Sequence, residues 1–254
     1  MIETVSFVGA GKVAGALAFA LQQRGIAIVQ VCSPSASSQV LAQKLGAEAV
    51  SEPKNLAPVD LVIVAVQDAA IPDVVASIPN KQAWAHTSGS VGLEELSGNQ
   101  KGVFYPLQTF SAGRPVNFER IYFCLEANSS ELLEDLDQLA SQLTSKRMVI
   151  DAEKRKALHL AAVFACNFSN QLYQIAETLL EKENLPFELL SPLITETALK
   201  AGVLSPSKSQ TGPAQREDYK IIENHINSLK DQPELQEIYK LFTQRIIRQK
   251  NEEL

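Results

Sequence analysis

The sequence predicts an α/β protein in which a doubly wound, mostly parallel sheet is followed by an all-helical region. A glycine-rich turn joins an apolar strand to an alanine-rich helix at the start of the chain, and strand-like and helix-like segments alternate from there to about residue 150. After Asp151 the strand pattern stops. Because alternating strands and helices of this length imply parallel strands joined by right-handed crossovers, we predict a sheet domain of residues 1–151 and a helical domain of residues 152–254.

Apolar segments of the first domain are predicted to be strands. The clearest is residues 60–66, a continuous apolar run after Asp60 of the kind that a parallel strand buried on both faces requires. The predicted strands are residues 4–8, 27–31, 47–50, 60–66, 83–87, 102–105, 121–125 and 147–150. The predicted helices are residues 13–23, 37–45, 68–78 and 130–143.

The second domain is predicted to contain only helices. Asp151 is a suitable N-cap, and residues 152–183 contain neither Pro nor Gly, which predicts one long helix. Further helices are predicted to begin at proline residues. They are residues 186–201, a helix that begins at residue 213, and a helix from residue 233 to the end. The long helix is apolar over much of its circumference, so we expect it to be covered by the sheet domain, by other helices or by a second subunit.

Composition excludes several classes of partner. The chain has a net charge of −6 and a pI near 5.2, without a cluster of Lys and Arg interleaved with aromatic residues, so neither nucleic acid nor a membrane surface is expected as a partner. Cys32, Cys124 and Cys166 lack C-x-x-C spacing, which predicts reduced thiols in the cytoplasm, each a small buried hydrophobe. No metal-ligand spacing of Cys and His is present, so no metal is expected.

The glycine-rich turn predicts dinucleotide binding. We call residues 9–15 the glycine cradle; in it, Gly9 permits the tight turn, Gly11 lets the backbone approach a diphosphate, and Ala14 keeps the helix near the sheet. The helix N-terminus offers unpaired N–H groups and the positive end of a dipole. The predicted contacts with the diphosphate come from Gly9, Ala10, Gly11, Lys12 and Val13. The alternative is a glycine turn without a ligand.

The end of the second strand favours NADP over NAD. An acidic residue at this position would bind the ribose 2′-hydroxyl of NAD, but the chain has Cys32-Ser33-Pro34-Ser35. With no carboxylate to repel a 2′-phosphate, the hydroxyls of Ser33 and Ser35 can donate to it. No Arg follows the strand to form the usual clamp, and the alternative is that these serines form only a turn that caps the next helix.

Two loops after later strands provide further candidates, because ligands of such sheets lie outside the carboxyl ends of the strands. Val66 and Gln67 are predicted to contact the cofactor, and Asp68 to cap its helix. His86, followed by Thr-Ser-Gly, brings an imidazole and the Ser88 hydroxyl near the expected nicotinamide. For His86, a structural hydrogen bond and a substrate contact are both open.

The helical domain contributes polar residues on apolar surfaces. His159 and Asn167 are two helical turns and a little more apart, so both can point to roughly one face, and Asn170 is nearby. They either pair across a dimer or line a cleft between the domains. Residues 211–213, Thr-Gly-Pro, precede a helix; Thr211 is the predicted N-cap, and Arg216 in the first turn is the alternative partner for a substrate carboxylate.

Five segments together resemble the Rossmann-like NADP oxidoreductases that carry a C-terminal domain of unknown function. The segments follow in the right order over nearly the whole chain: residues 9–15, 86–89, 106–110, 161–167 and 211–213. That family is similar in architecture to pyrroline-5-carboxylate reductase, to the 6-phosphogluconate and 3-hydroxyisobutyrate dehydrogenases and to coenzyme-F420-dependent NADP oxidoreductases. The resemblance implies an N-terminal NADP domain, a helical C-terminal domain that dimerises, and a cleft between them.

The chain departs from these families at informative positions. Tyr105 stands where the family usually has His, and Gln67 where it usually has Pro. If that His is a proton donor, Tyr105 must replace it or the activity differs. The hydroxy acid dehydrogenases carry a catalytic Lys four residues before an Asn, whereas Val163 stands four residues before Asn167. Their catalytic mechanism is therefore not carried over.

These patterns lead us to expect an NADP-dependent reductase or dehydrogenase that acts on a small polar metabolite in the cleft between the domains. His159 or His86 would transfer the proton, because imidazole exchanges protons near neutral pH, and Asn167 and Ser88 would orient the substrate. One alternative is a non-catalytic NADP(H)-binding sensor or regulatory dimer; another is a cofactor-free scaffold. A homodimer through the C-terminal helices is expected.

Overall fold

The computed structural model describes residues 1–79, 81–94 and 96–252. The chain divides into two compact units, Met1–Leu172 and Tyr173–Leu254. The first unit contains a sheet with flanking helices, and the described part of the second unit is helical apart from its turns. The predicted fold class, a doubly wound sheet followed by a helical region, is confirmed. No helix in the described ranges combines the length and the apolar character that crossing a membrane requires.

One sheet of eight strands organises the first unit, and every predicted strand is present. The strands are β1 (Thr4–Val8), β2 (Ala27–Cys32), β3 (Glu48–Val50), β4 (Leu61–Val64), β5 (Trp84–His86), β6 (Lys101–Pro106), β7 (Phe123–Ala127) and β8 (Arg147–Val149). Their order is β3-β2-β1-β4-β5-β6-β7-β8. Strands β1 to β6 are parallel to one another, whereas β7 runs antiparallel to β6 and parallel to β8. We call the edge where β1 to β6 end the carboxyl edge.

Helices cover both faces of this sheet. These helices are α1 (Lys12–Gln22), α2 (Ser37–Leu45), α3 (Ile71–Ser77), α4 (Ser130–Ser141) and α5 (Ala152–Ala162). The next helix along the chain, α6 (Ser169–Lys182), extends from the first unit into the second. One apolar cluster packs α1, α2 and α4 against the sheet through Leu17, Leu41 and Leu136. A second cluster, with Val75 of α3 and Leu158 of α5, lies against the alternate side chains of β4 and β5. Because strand side chains alternate between faces, both faces of the central strands are buried.

The long helix predicted from residue 152 to residue 183 is interrupted by a change of helix type. Alpha-helical α5 and α6 are joined by π-helical turns at Val163–Phe168. The absence of Pro and Gly correctly predicted continuous helix but carried no sign of π turns. Cys166 lies in these turns and is exposed, so its prediction as a buried hydrophobe is wrong, while Cys32 and Cys124 are buried.

The described part of the second unit continues with short and long helices. They are α7 (Ser191–Val203), α8 (Pro206–Ser209), α9 (Pro213–Arg216), α10 (Tyr219–Ser228) and α11 (Pro233–Glu252). The helix predicted from Pro213 ends after one turn, because Glu217 takes a left-handed φ of 55° and Asp218 caps α10. The predicted N-cap Thr211 is also wrong: Gly212 holds that position, without a side-chain hydrogen bond.

Candidate functional site

The glycine cradle requires glycine at its first position. Gly9 has a φ of +108°, which side chains rarely adopt, and its N–H donates to the carbonyl of Cys32 at 2.8 Å. A Cβ at Gly9 would lie 2.2 Å from the carbonyl oxygen of Ala65, in the loop after β4. Because that neighbour is backbone, it cannot move aside. Gly9 therefore lets the chain turn tightly from β1 into α1, close to the end of β2 and to the loop after β4.

The next positions of the cradle are open towards solvent. Gly11 is the N-cap of α1, none of the described side chains caps that helix end, and a Cβ at Gly11 would have no described atom within 4 Å. The first N–H groups of a helix have no intrahelical acceptor, so those of Lys12 and Val13 remain free for a ligand. Ala14 is fully buried and brings α1 close to the sheet. This arrangement fits the diphosphate of a dinucleotide.

Three serine hydroxyls lie in a row at the carboxyl end of β2. The Oγ atoms of Ser33 and Ser35 are 3.0 Å apart, and those of Ser35 and Ser37 are 2.5 Å apart. The Ser38 hydroxyl donates to the carbonyls of Ser33 and Ser35, which closes the turn into α2. We call Ser33, Ser35 and Ser37 the serine cluster. Sequence reasoning missed Ser37, although its spacing of two residues from Ser35 repeats that between Ser33 and Ser35.

The loops after β4 and β5 are tied together at the carboxyl edge. Gln67, exposed like its neighbour Asp68, is the N-cap of the 3₁₀ turn Asp68–Ala70. The prediction that Asp68 caps this helix is therefore wrong. Instead, the Asp68 carboxylate accepts a hydrogen bond from the Ser90 hydroxyl, 22 residues later in the chain.

His86, at the end of β5, is buried and is held by a hydrogen bond within its own loop. Its side chain is fully buried, and its Nδ1 accepts a hydrogen bond from the Ser88 N–H at 3.1 Å. Burial, and secondly the positive charge of Arg155, lowers the pKa of His86 to about 3. The imidazole is therefore neutral near pH 7. Of the two alternatives for His86, this geometry favours the structural hydrogen bond.

Ser88 holds the loop after β5 in a tight turn. Its Oγ accepts hydrogen bonds from the N–H groups of Ser90 and Val91, both at 3.1 Å, and the residue is buried. This pattern resembles the side-chain turn that serine commonly forms. The loop is thereby fixed with Gly89 at its tip.

Tyr105 and His159 form a polar pair against Gly89. Tyr105 Oη lies 3.2 Å from Nδ1 of His159, and the two rings meet edge to face at 69°. A Cβ at Gly89 would lie 2.7 Å from His159 Nδ1 and 2.9 Å from Tyr105 Cζ, so only glycine leaves room for the pair. Burial raises the pKa of Tyr105 to about 12, so the phenol stays protonated. The structure thus brings the predicted residue His159 next to the Ser88 loop.

A buried arginine lies on the same helix as His159. Arg155 lies four residues before His159 on α5, its side chain is fully buried, and it donates to the Glu126 carboxylate and to the Val91 carbonyl. It therefore links α5 to β7 and to the loop after β5. Sequence reasoning missed Arg155, because it stands between Lys154 and Lys156 in a run of charges typical of an exposed helix face.

The remaining candidates are exposed. Asn167 lies in the π-helical turns and Asn170 follows on α6, both exposed. Because π turns contain more residues per turn than α turns, the eight residues from His159 to Asn167 come closer to two full turns than an α-helix would give. Arg216 is exposed at the end of α9. The roles predicted for these three residues stay predictions.

Comparisons with known proteins match both parts of the chain. Residues 4–88 match the family of NADP oxidoreductases described as coenzyme F420-dependent, and residues 121–246 match a domain of unknown function, DUF2520. No curated protein matches the chain. A putative NADP oxidoreductase from Bacteroides fragilis shares 41% sequence identity over 97% of this chain and 98% of its own, with a TM-score of 0.90.

More distant structures share the fold. A 1-pyrroline-5-carboxylate reductase from Streptococcus pyogenes is 17% identical over 96% of this chain and 98% of its own, with a TM-score of 0.62. A reductive aminase from Aspergillus terreus, solved with NADPH and ethyl levulinate, is 16% identical over 98% of this chain and 95% of its own, with a TM-score of 0.74.

The family resemblance stated from the sequence is confirmed by these matches. They also confirm the prediction of NADP as the cofactor, in agreement with a cradle that fits a diphosphate and a β2 end without a carboxylate. The chain belongs to the family in which an NADP oxidoreductase domain of the coenzyme F420-dependent type is followed by a DUF2520 domain.

Proposed function

We propose that this protein is an NADP-dependent oxidoreductase that acts on a carbonyl or imine carbon of a small polar metabolite. The observation that carries the proposal is the Tyr105–His159 pair, packed on Gly89 at the same carboxyl edge as the glycine cradle. NADP supplies or accepts the hydride when it is bound. The chain's own residues hold the cofactor and provide the proton.

His159 is the proposed proton donor, with Tyr105 as its partner. Tyr105 keeps its proton because of its raised pKa, and its oxygen lies 3.2 Å from Nδ1 of His159. In the imidazolium form of His159, Nδ1–H can donate to that oxygen, which leaves Nε2–H for the substrate. Transfer of the Nε2 proton to the oxygen or nitrogen of the reduced substrate leaves a neutral imidazole. His86 is not assigned this role, because its side chain is fully buried and its lowered pKa keeps it from carrying the proton near pH 7.

The other predicted groups have supporting roles in this proposal. Ser88 fixes the loop that carries Gly89, and the serine cluster donates hydroxyls to the 2′-phosphate. Asn167 orients the substrate. The expectations of a substrate cleft between the domains and of a cytoplasmic location remain predictions.

The first prediction tests the proton donor. In an assay of NADPH oxidation with a panel of keto acids, aldehydes and imines, we expect His159→Ala to lower turnover by about 10²- to 10⁴-fold, the usual range for loss of a general acid. Tyr105→Phe should lower it less, because imidazole remains. NADPH affinity, measured by fluorescence titration, should stay within about twofold of the unmutated protein.

A matched control comes from the second unit. Nδ1 of His225 lies 2.9 Å from Oη of Tyr239, and the rings meet edge to face as in the proposed site. His225→Ala therefore removes an equivalent pair and should leave turnover unchanged. Equal turnover of the His159→Ala variant and the unmutated protein would exclude the proposed donor. Failure of the unmutated protein to bind NADPH would refute the function itself.

A second candidate function is a non-catalytic NADP(H) sensor. It is favoured by Val163, which stands where the related hydroxy acid dehydrogenases carry their catalytic Lys. The same substrate panel separates the two functions. If no substrate is turned over while NADPH changes the association of the subunits, the sensor is the better assignment.

We also propose that the protein is a homodimer held together by its C-terminal helices. Large apolar side chains are exposed from α5 to α7, among them Phe164 and Phe168, which are 63% and 48% exposed and pack edge to face with ring centroids 4.9 Å apart. Exposed apolar surface of this kind marks an interaction site. A second copy of the same helices would remove it from water.

The second prediction concerns this dimer. We expect the double variant Phe164→Glu and Phe168→Glu to be a monomer in sedimentation velocity at micromolar concentration, because charges replace apolar contacts worth about 1.5–3 kcal/mol per buried side chain. Val40→Glu, on α2, changes an equally exposed apolar residue (54%) and should remain a dimer. A monomeric unmutated protein at that concentration would contradict the proposal.

A further inference from the structure

A cleft of about 890 Å³ lies beside the glycine cradle, between α1 and residues 111–119. This volume is in the range of small-molecule sites. The cradle contributes its open end to the cleft, so the cleft and the diphosphate position are continuous. The residues that matter for its chemistry are Gly11, Lys12, Phe19, Arg114, Val116 and Phe118.

The segment that carries Arg114 is anchored at both of its ends. Phe118 is buried, and its ring centroid lies 6.4 Å from that of Phe110, which packs against the same apolar cluster. The Asn117 side chain accepts a hydrogen bond from the N–H of Glu119 at 3.0 Å and so caps the 3₁₀ turn Phe118–Arg120. The two ends of this segment are thus held in place by these contacts, and Arg114 lies in the loop between them.

Two cationic groups of the cleft are available for an anion. Among the ion pairs of the described residues, neither Lys12 nor Arg114 takes part, whereas Arg24 of the same cleft lies 3.9 Å from Glu119. The chain has a net charge of −6, so an anionic cofactor needs cations close to its phosphates. The serine cluster offers hydroxyls to the 2′-phosphate but no charge.

We infer that Arg114 is a further cofactor-binding residue, which acts with Lys12 on the diphosphate from the cleft beside the glycine cradle. This inference rests on the proposed function, because it presumes that NADP occupies the cradle. Guanidinium suits the task, since its planar fork can donate two hydrogen bonds to phosphate oxygens. Arg114 is about 100 residues from the glycines in sequence, which is why the motif itself gives no sign of it.

The test is the affinity for NADPH and for fragments of it, measured by fluorescence and calorimetric titration. We expect Arg114→Gln to raise the Kd for NADPH about tenfold, because one charge-assisted contact is lost. The Kd of this variant should also change less with salt concentration than that of the unmutated protein. Arg114→Lys, which keeps the charge without the fork, should recover part of the affinity. Arg120→Gln, an exposed arginine of the neighbouring turn outside the cleft lining, should bind NADPH normally.

Two fragments locate the contact. ADP-ribose contains the diphosphate without the 2′-phosphate, and its Kd should rise by the same factor in Arg114→Gln. The fragment 2′-AMP contains the 2′-phosphate without the diphosphate, and its Kd should not change. Unchanged binding of NADPH by Arg114→Gln, or an equal effect on 2′-AMP, overturns the inference and leaves the proposed function intact. An unmutated protein that binds no NADPH overturns both.

Discussion

Replacing Arg155 with Met should lower the free energy of unfolding by about 3–5 kcal/mol, the range observed when one partner of a buried ion pair is removed. The Arg155 side chain is fully buried and donates to the carboxylate of Glu126, which is only 18% exposed, and to the carbonyl of Val91. The substitution leaves a charge and a carbonyl without their donor. Urea denaturation followed by far-UV circular dichroism measures the loss.

A surface pair provides the control for this prediction. Arg147 donates to Asp137 at 2.8 Å, but these side chains are 27% and 42% exposed. Arg147→Met should therefore cost no more than about 1 kcal/mol, because water screens the pair. Adding Glu126→Leu to Arg155→Met should restore much of the stability, since the unpaired carboxylate is then gone. Equal losses for Arg155→Met and Arg147→Met would show that the buried contacts contribute little.

The sequence was sufficient for features that depend on neighbouring residues. Strands followed from apolar runs such as residues 61–64, and the cradle followed from glycines whose spacing places Gly9 at a turn and Gly11 at a helix N-terminus. In each case the sequence signal lies within a few residues of the position it describes. The fold class follows because such local signals alternate regularly along the first unit.

Features that depend on distant partners could not be read in this way. Asp68 has the residue type of a helix cap, but its carboxylate binds Ser90 in another loop. Arg155 reaches partners 29 and 64 residues away, and a contact of that separation leaves no periodic pattern. Likewise, the pairing of Tyr105 with His159 needs the β6 end and α5 to meet, which only tertiary structure decides.

Gly9→Ala should destabilise the protein by about 3 kcal/mol or more and abolish NADPH binding. The change forces alanine into a φ of +108° and drives its Cβ to 2.2 Å from the carbonyl oxygen of Ala65. Strain of this kind costs about 1–3 kcal/mol, and overpacking adds a similar amount. Because the clash is with backbone, the turn between β1 and α1 must deform, and with it the cradle.

Gly11→Ala separates folding from binding at the same cradle. Gly11 has a φ of −81°, and an added Cβ meets no described atom within 4 Å, so stability should stay within about 0.5 kcal/mol of the unmutated value. If the diphosphate approaches the backbone at Gly11 as predicted, the added methyl group takes up space that it needs, so the Kd for NADPH should rise. If Gly11→Ala binds NADPH as tightly as the unmutated protein, while Gly9→Ala loses both stability and binding, the diphosphate does not approach the backbone at Gly11. The cradle would then act only as a turn.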